Sequence, residues 1–449
     1  MYRPGLPTDG FTFEVDWTRN GYTSPDSLIE NWSDIQFASG SNIEEGWPEL
    51  TPARGRVTLT DDSILSSVTR NNYLQPRPFR CMYRDLVQFA GIMEPLEPLQ
   101  NGRPDLGLQA RLRSKNGREF GRQVEWSNID PTLAEDVFRA LLSRRQLDAG
   151  SVVGPHQDIG LASFQGTSRA LLSQLGRVAG CVVAEDRQGN IDFTHIGRAL
   201  SLELFSDTIT TDNIVFESGA VAYRRDPKTV SSIGYIVGLQ AGLEVITSIN
   251  EDIAPGEEVI IRAEADPGSL IDALWVDLSP TEGMPFTTIS RGPFTLVVQA
   301  ENQSTDTISL VEFPVFGTPI RSNQVTVDRV ELPDFRVRGR LAFDIEPWYV
   351  PGEEQFGRFT LSQYADGLAW ASLPLALNAE DGAASRMGPG RVFNTDLPSL
   401  NPPTNSWLAH KCEWDITKGD IPQVLVEAVG LPAGSNRWGR GRWGEATWQ

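Results

Sequence analysis

"PFRCMYRDLVQFAGIMEPLEP", Pro78 to Pro98, reads as two strands around the polar tetrapeptide "YRDL" (Tyr83 to Leu86), with Gly91 placed to allow a bend or bulge. Working outward, the same period-two logic appears at "FTFEVDW", which puts Phe11, Phe13, Val15 and Trp17 on one face of a half-buried strand. The turn dipeptide Asn20-Gly21 follows. "GRVTLTDD" from Gly55 is another short strand running into a polar turn. Helical periodicity is weak up to about Gln123, so residues 1–125 are expected to form a small antiparallel β barrel or sandwich.

The pattern then changes. In "NIDPTLAEDVFRALLSRRQLDAG", Asp130 is the expected N-cap and Pro131 the first helical residue. Leu133, Val137, Leu141 and Leu142 form its stripe, Arg144 and Arg145 suit the C-terminal dipole, and Gly150 is the expected stop. A second helix in "GTSRALLSQLGRVAG" has Thr167 or Ser168 to cap it, a stripe of Leu171, Leu172, Leu175, Val178 and Ala179, and Gly180 to end it. "CVVAEDRQGNIDFTHIG" continues as strand, turn at Gln188 to Asn190, and strand, which makes residues 126–212 an α/β unit.

Strands return over residues 213–345, among them "SIGYIVGL", "EEVIIRAEA", "FTLVVQAEN", "TISLVEFPVFG" and "NQVTVDRVEL", with "APGE" and "DPGS" between them as turns. Over residues 346–435, "FTLSQYADGLAWASLPLAL" has room for a short helix before a strand. "GPGRVFNTD", "NSWLAHKCEWDITKGD" and "PQVLVEAVG" then alternate like barrel strands. The last segment, 436–449, is "NRWGRGRWGEATWQ". The fold class expected is mainly β with a smaller α/β part, in several domains. A length of 449 residues agrees, since it implies about three.

Composition narrows the chemistry. The net charge of −20 argues against a protein that grips nucleic acid, because such binding runs on Lys and Arg neutralising phosphates. It suits solubility, and also a surface past which nucleic acid slides. Cys81, Cys181 and Cys412 are far apart without a CxxC, so buried thiols are expected. "MYRPGLPTDG" has no apolar h-region and no run is long enough to span a bilayer, so synthesis in a cytoplasm without an export signal is expected.

His156, His195 and His410 stand without HExxH, HxH or a Cys/His cluster, so no metal or other cofactor is expected. A dyad of His410 and Cys412 lacks an orienting third group. GxSxG, P-loop and Rossmann signatures are absent, and "GRGRWG" opens no helix. Among 59 acids a chance carboxylate pair of the glycosidase kind is expected without implying catalysis. Tryptophans gather at both ends: Trp17, Trp32 and Trp47, then Trp407, Trp414, Trp438, Trp443 and Trp448. Such residues serve cores, subunit interfaces and sugar platforms alike.

Taken in order, these segments resemble the tail-hub (baseplate-hub, tail-tip) proteins of tailed bacteriophages with long non-contractile tails. The resemblance rests on "FTFEVDWTRNGYTSPDSLIENW", "IEEGWPELTPARGRVTLTDD", the Phe89, Gly91, Ile92, Glu94-Pro95 hairpin, "SRALLSQLGRVAGCVVAEDRQGNIDF", "RMGPGRVFNTD" and "WLAHKCEWDITKGDIPQVLVEA". It departs before the short helix, where "DFRVRGRLAFDIEP", with Phe335 and Arg340, replaces the family's Ser-Ile-x-x-Tyr-Gly-x-Arg stretch.

The resemblance implies two hub-type barrels (1–125 and 346–435), with 213–345 partly completing the second and partly an inserted β domain. It further implies a non-catalytic homotrimeric ring in the virion at the tail tip, joining the tail tube to the tip. The tail tube protein, distal tail protein and other tail-tip proteins are its expected partners. The genome's DNA would pass the lumen without specific binding; three copies at −20 each total −60, which suits an acidic lumen. The Trp/Gly/Arg-rich end is then expected to act as a strap. Arg437, Trp438, Arg440, Arg442, Trp443 and Trp448 are its candidate contacts to a neighbouring subunit or tail protein. Two other readings differ in class. One is a carbohydrate-binding adhesin with Trp275, Phe286 and Phe294 as its platform; the other is a glycoside hydrolase.

Overall fold

The computed structural model describes residues 10–23, 28–30, 32–44, 47–60, 75–98, 108–128, 132–156, 158–159, 162–201, 207–215, 222–224, 229–239, 243–264, 284–291, 295–317, 320–330, 340–344, 369–377, 382–397 and 406–431. They are mostly strand, in several sheets and more than one domain, with two longer helices between. The mainly β, multidomain class expected from sequence is what the chain adopts.

Arg77–Tyr83 and Leu86–Met93 pair antiparallel, and Phe11–Val15 adds to the first of them. Arg84 (φ 46°) and Asp85 (φ 68°) make the turn, both left-handed as a tight hairpin of this twist demands. Phe13 and Phe79 face one another across strands with rings 5.7 Å apart, and Phe11 meets Tyr83 at 4.9 Å. The bulge is not at Gly91. It falls at Gln88, because Cys81 pairs with Phe89 while Met82 pairs with Val87. Gly91 answers a different constraint: a Cβ there would lie 2.3 Å from the carbonyl oxygen of Arg113 on the crossing strand.

A hairpin of Trp32–Glu44 and Trp47–Leu59 carries this sheet onward. Its outer edge takes Leu108–Arg113, and its other edge takes Ser406–Thr417. Gln423–Gly430 and Trp370–Ala376 then follow, so strands from both ends of the chain share one sheet. They also share one core. Phe37 stacks on Phe89 at 4.6 Å, and Trp414 from the C-terminal half lies 5.2 Å from Phe89. In the C-terminal half a short helix, Ala383–Arg386, follows the Trp370–Ala376 strand; the position expected for one before it lies outside the described residues.

The α/β unit has its own core, in which Phe138 stacks on Phe193 at 4.6 Å. Its first helix is Ala134–Arg144, not a helix opened by Asp130 and Pro131. Thr132–Leu133 is instead recruited as a strand against Asp158–Ile159, which leaves Leu133 as a cap without a side-chain bond. Nor does Gly150 stop it. Gln146 turns left-handed at φ 54°, Leu147 N–H reaches back to Leu142 O at 3.0 Å, and Gln146 N–H to Ser143 O at 3.1 Å, a Schellman closure built on glutamine. Gly150 lies in the strand Ala149–Val153, parallel to Ile191–His195. The second helix, Ser168–Val178, is as expected: Thr167 Oγ1 accepts from Ala170 N–H at 3.2 Å and Gly180 follows the helix at φ 61°. Cys181–Glu185 and Ile191–His195 form the expected hairpin.

Further along, Glu258–Glu264, Thr295–Glu301 and Phe286–Arg291 form an antiparallel sheet over a small core of Ile261, Ala263, Leu296, Val298 and Ala300. Leu243–Ile253 pairs with Ile308–Gly317. Thr229–Leu239 pairs with Ile320–Val330 and, in parallel, with Arg340–Asp344.

Candidate functional site

The strap residues Arg437, Trp438, Arg440, Arg442, Trp443 and Trp448 lie outside the described residues, as do Trp275 and Phe294 of the sugar-platform reading. Phe286, the platform's third member, is half-buried and packs against the small core of Ile261, Leu296 and Val298. The described tryptophans at both ends, Trp17, Trp32, Trp47, Trp407 and Trp414, are all buried, so there the core reading of these residues holds.

His156 is exposed, whereas His195, His410 and the three cysteines are buried. His195 accepts the Arg198 N–H on Nδ1 at 3.1 Å, and burial followed by the Arg198 charge lowers its pKa to about 3. His410 Nδ1 donates to Ser41 O at 3.0 Å, and burial lowers its pKa to about 4. The same burial drives the Cys412 thiol well up, so the two make no nucleophile pair at neutral pH.

Two polar places remain that the fold has to build. The first joins the α/β unit to the large sheet. Glu185, at the end of its strand, is buried, and its carboxylate accepts from Ala53 N–H at 3.1 Å, from Asn116 Nδ2 at 3.2 Å and from the Ser114 hydroxyl. Its backbone carbonyl accepts from Ser39 Oγ at 2.9 Å. Burial pushes the carboxyl upward, and the hydrogen bonds from Ser114 and Ala53 pull it back. Nearby, Arg177 pairs with Glu49, and Ser173 Oγ accepts from Leu50 N–H at 3.2 Å. Arg187 and Gln88 both donate to Ser385 O, at 2.9 and 3.0 Å, so one carbonyl ties the N-terminal strands, the α/β unit and the C-terminal helix together.

Asp192 sits in this seam. Its Oδ1 accepts Ser151 N–H at 2.6 Å, and its Oδ2 lies against Gly390, where a Cβ would come within 2.0 Å. Burial first, then the Asp186 charge, raises its pKa to about 7; Ser151 and Arg391 oppose the rise. A carboxyl with a raised folded pKa stabilises most below its unfolded pKa and loses that contribution as pH rises through the folded one. Between pH 4 and 8, Asp192→Asn is therefore expected to gain on the wild type by up to about 4 kcal/mol as pH increases. Urea midpoints at the two pH values measure this; parallel pH slopes for the two proteins would refute it.

The second place is an open groove of about 1160 Å³ on the outer face of the sheet. Its floor carries Arg54 and Arg56 on one strand, directly opposite Arg113 and Arg111 on the next. Glu94 and Glu97 stand on one rim, Glu413 and Asp415 on the other. Arg113 pairs with Glu94, and Glu413 with Lys411 at 2.5 Å. Sequence reasoning missed this site, although alternate arginines in "RGR" and "RLR" were its visible signal.

No family model and no curated protein matches the chain. Solved structures with a similar course of chain include the tail protein from Neisseria meningitidis MC58, at 9% identity over 94% of this chain and 96% of that one, with a TM-score of 0.49. Another is the 43 kDa tail protein of prophage MuSo2 from Shewanella oneidensis, at 10% identity over 94% of this chain and 99% of that one, with a TM-score of 0.48.

Proposed function

We propose that this chain is a structural virion protein of a phage tail: a tail-tip hub without catalytic activity, forming a homotrimeric ring that joins the tail tube to the tip around the DNA-ejection channel. The observation that carries the reading is the shared sheet. Strands from both ends of the chain meet through Trp32–Glu44 and Ser406–Thr417 over one core, while the α/β unit and the inserted β region occupy the connection between them. Two sets of strands joined side by side in one chain are what three copies need in order to present six similar faces to a six-fold tube.

In this reading residues 1–125 are the first barrel and 346–435 the second, completed by part of 213–345, with 126–212 as the α/β domain and the rest of 213–345 as an inserted β domain. The 436–449 strap binds a neighbour, and the tail tube and distal tail proteins are the partners. Electron microscopy of the purified protein, with mass measured alongside, tests it. A three-fold ring with an open centre is expected, alone or capping assembled tail tube. Monomers under both conditions would overturn the reading. Deleting Trp438 to Gln449 is expected to weaken ring formation, and rings that form as well without these residues would remove the strap from it.

A further inference from the structure

The floor of the groove carries three arginines without an ion pair among the described residues, and its rims carry four acids, as many as its arginines. Arg54 faces Arg113 and Arg56 faces Arg111 in register, and like charges directly opposite on a sheet destabilise it. Among the described residues Arg113 is paired with Glu94, whereas Arg54, Arg56 and Arg111 are exposed and carry no ion pair. This occurs in a chain with 59 acidic against 39 basic residues, where counter-charges are abundant. The two strands lie about 5 Å apart and alternate residues about 7 Å apart, so the four guanidinium stems form a compact square. Arg54, Arg56 and Arg111 can each hold a carboxylate in two-pronged fashion. The acidic rims oppose a uniform polyanion such as nucleic acid and admit a narrow protein segment with a few carboxylates.

The inserted region carries such a segment. The turn after Ile253 meets the turn after Glu301: Gly256 N–H donates to Asn302 O at 2.7 Å and Asn302 N–H to Glu257 O at 3.0 Å. The Asn302 side chain donates to Ile253 O at 2.7 Å and Asp306 O at 2.9 Å, fixing the tip. Glu251, Asp252, Glu257, Glu258 and Asp306 are exposed there, and among the described residues none has an ion pair. The groove's lining includes no residue of its own chain's tip.

We propose that the groove of one copy receives the acidic tip of a neighbouring copy, which rests on the ring reading above. Copies at −20 repel one another, and the unpaired arginines on the groove floor are where one copy can hold the carboxylates of another. A reciprocal charge swap tests this: R54E/R56E/R111E, E257K/E258K/D306K, and the two sets combined. Sedimentation equilibrium reads self-association, and circular dichroism confirms the fold.

Each set alone is expected to weaken association at least about tenfold, and the combination to restore it to within about threefold of wild type. Single sets that associate like wild type overturn the contact while leaving the ring reading intact. Weakening without restoration overturns the pairing of groove with tip. A wild type monomeric at every concentration and on tail tube overturns both. A short single-stranded DNA that binds wild type but not R54E/R56E/R111E overturns the choice of a protein occupant.

Discussion

Glu185→Ala is expected to lower the unfolding free energy by about 3–5 kcal/mol. Three donors lose their acceptor at once: the Ala53 backbone N–H, the Asn116 amide and the Ser114 hydroxyl. Ser114 and Asn116 are buried, so water does not replace the carboxylate freely, and an unsatisfied buried donor costs about 1–3 kcal/mol. Two effects temper the sum. Asn116 keeps its bond to Gly189 O at 2.7 Å, and the substitution removes a carboxyl whose ionisation burial already disfavours.

Glu185→Gln retains an acceptor oxygen and the shape, so about 1–2 kcal/mol is expected for it. The raised pKa gives a sign to the pH dependence. Glu185's contribution is largest at low pH and falls as pH rises through its folded value, so the gap between wild type and Glu185→Gln narrows from pH 5 to pH 8. Urea unfolding followed by tryptophan fluorescence measures all three proteins. Hydrogen exchange over Cys181–Glu185 would show whether the α/β unit loosens first. A loss below about 1 kcal/mol for the alanine variant would mean that this carboxylate is not the tie.

What could be read from the sequence was local. The hairpin within Pro78 to Pro98, the Phe11, Phe13 and Val15 face, the Thr167 cap and the turn before Ile191 each depend on residues close in sequence, and each is present, although the first strand ends at Val15, before Trp17. The misses are long-range. Leu133 became a cap because its neighbour Thr132 pairs with Ile159, a contact that no helix signal near Asp130 contains. Gly91 was noted as a flexible point, but what requires glycine there is Arg113 crossing above it.

The arginine groove shows the same limit. "RGR" at 54–56 and "RLR" at 111–113 are plain alternations, but only the register between strands more than fifty residues apart turns them into one site. The junction around Glu185 gave no signal at all, since Ser39, Ala53, Ser114 and Asn116 are small, ordinary residues until the sheet gathers them.

Gly40→Ala, the smallest change available at the seam of the large sheet, is expected to destabilise by about 3–5 kcal/mol. Gly40 pairs with Lys411 where the N-terminal strands hand over to the C-terminal ones. At φ 121° its backbone is one that a side chain strains. A Cβ would also lie 2.2 Å from His410 O and 2.7 Å from Lys411 Cα, both backbone atoms with no rotamer to move aside. The sheet is irregular here on both sides, since the register shifts between Ala38 and Gly40 and again between Ala409 and Lys411. Ser41 and His410 exchange hydrogen bonds at 3.0 and 3.1 Å across the same point, so spreading the strands to admit a methyl group would break them.

Gly419→Ala supplies the comparison. Its φ is 95°, and nothing lies within 4 Å of the Cβ position, so it carries backbone strain without the clash. About 1–2 kcal/mol is expected there. If the two variants lose the same amount, backbone strain accounts for Gly40 and the close approach of the strands contributes nothing. If Gly40→Ala loses more, and the excess appears as faster exchange across Trp32–Glu44 and Ser406–Thr417 together, the handover between these two strands is what holds the two halves of the chain in one body.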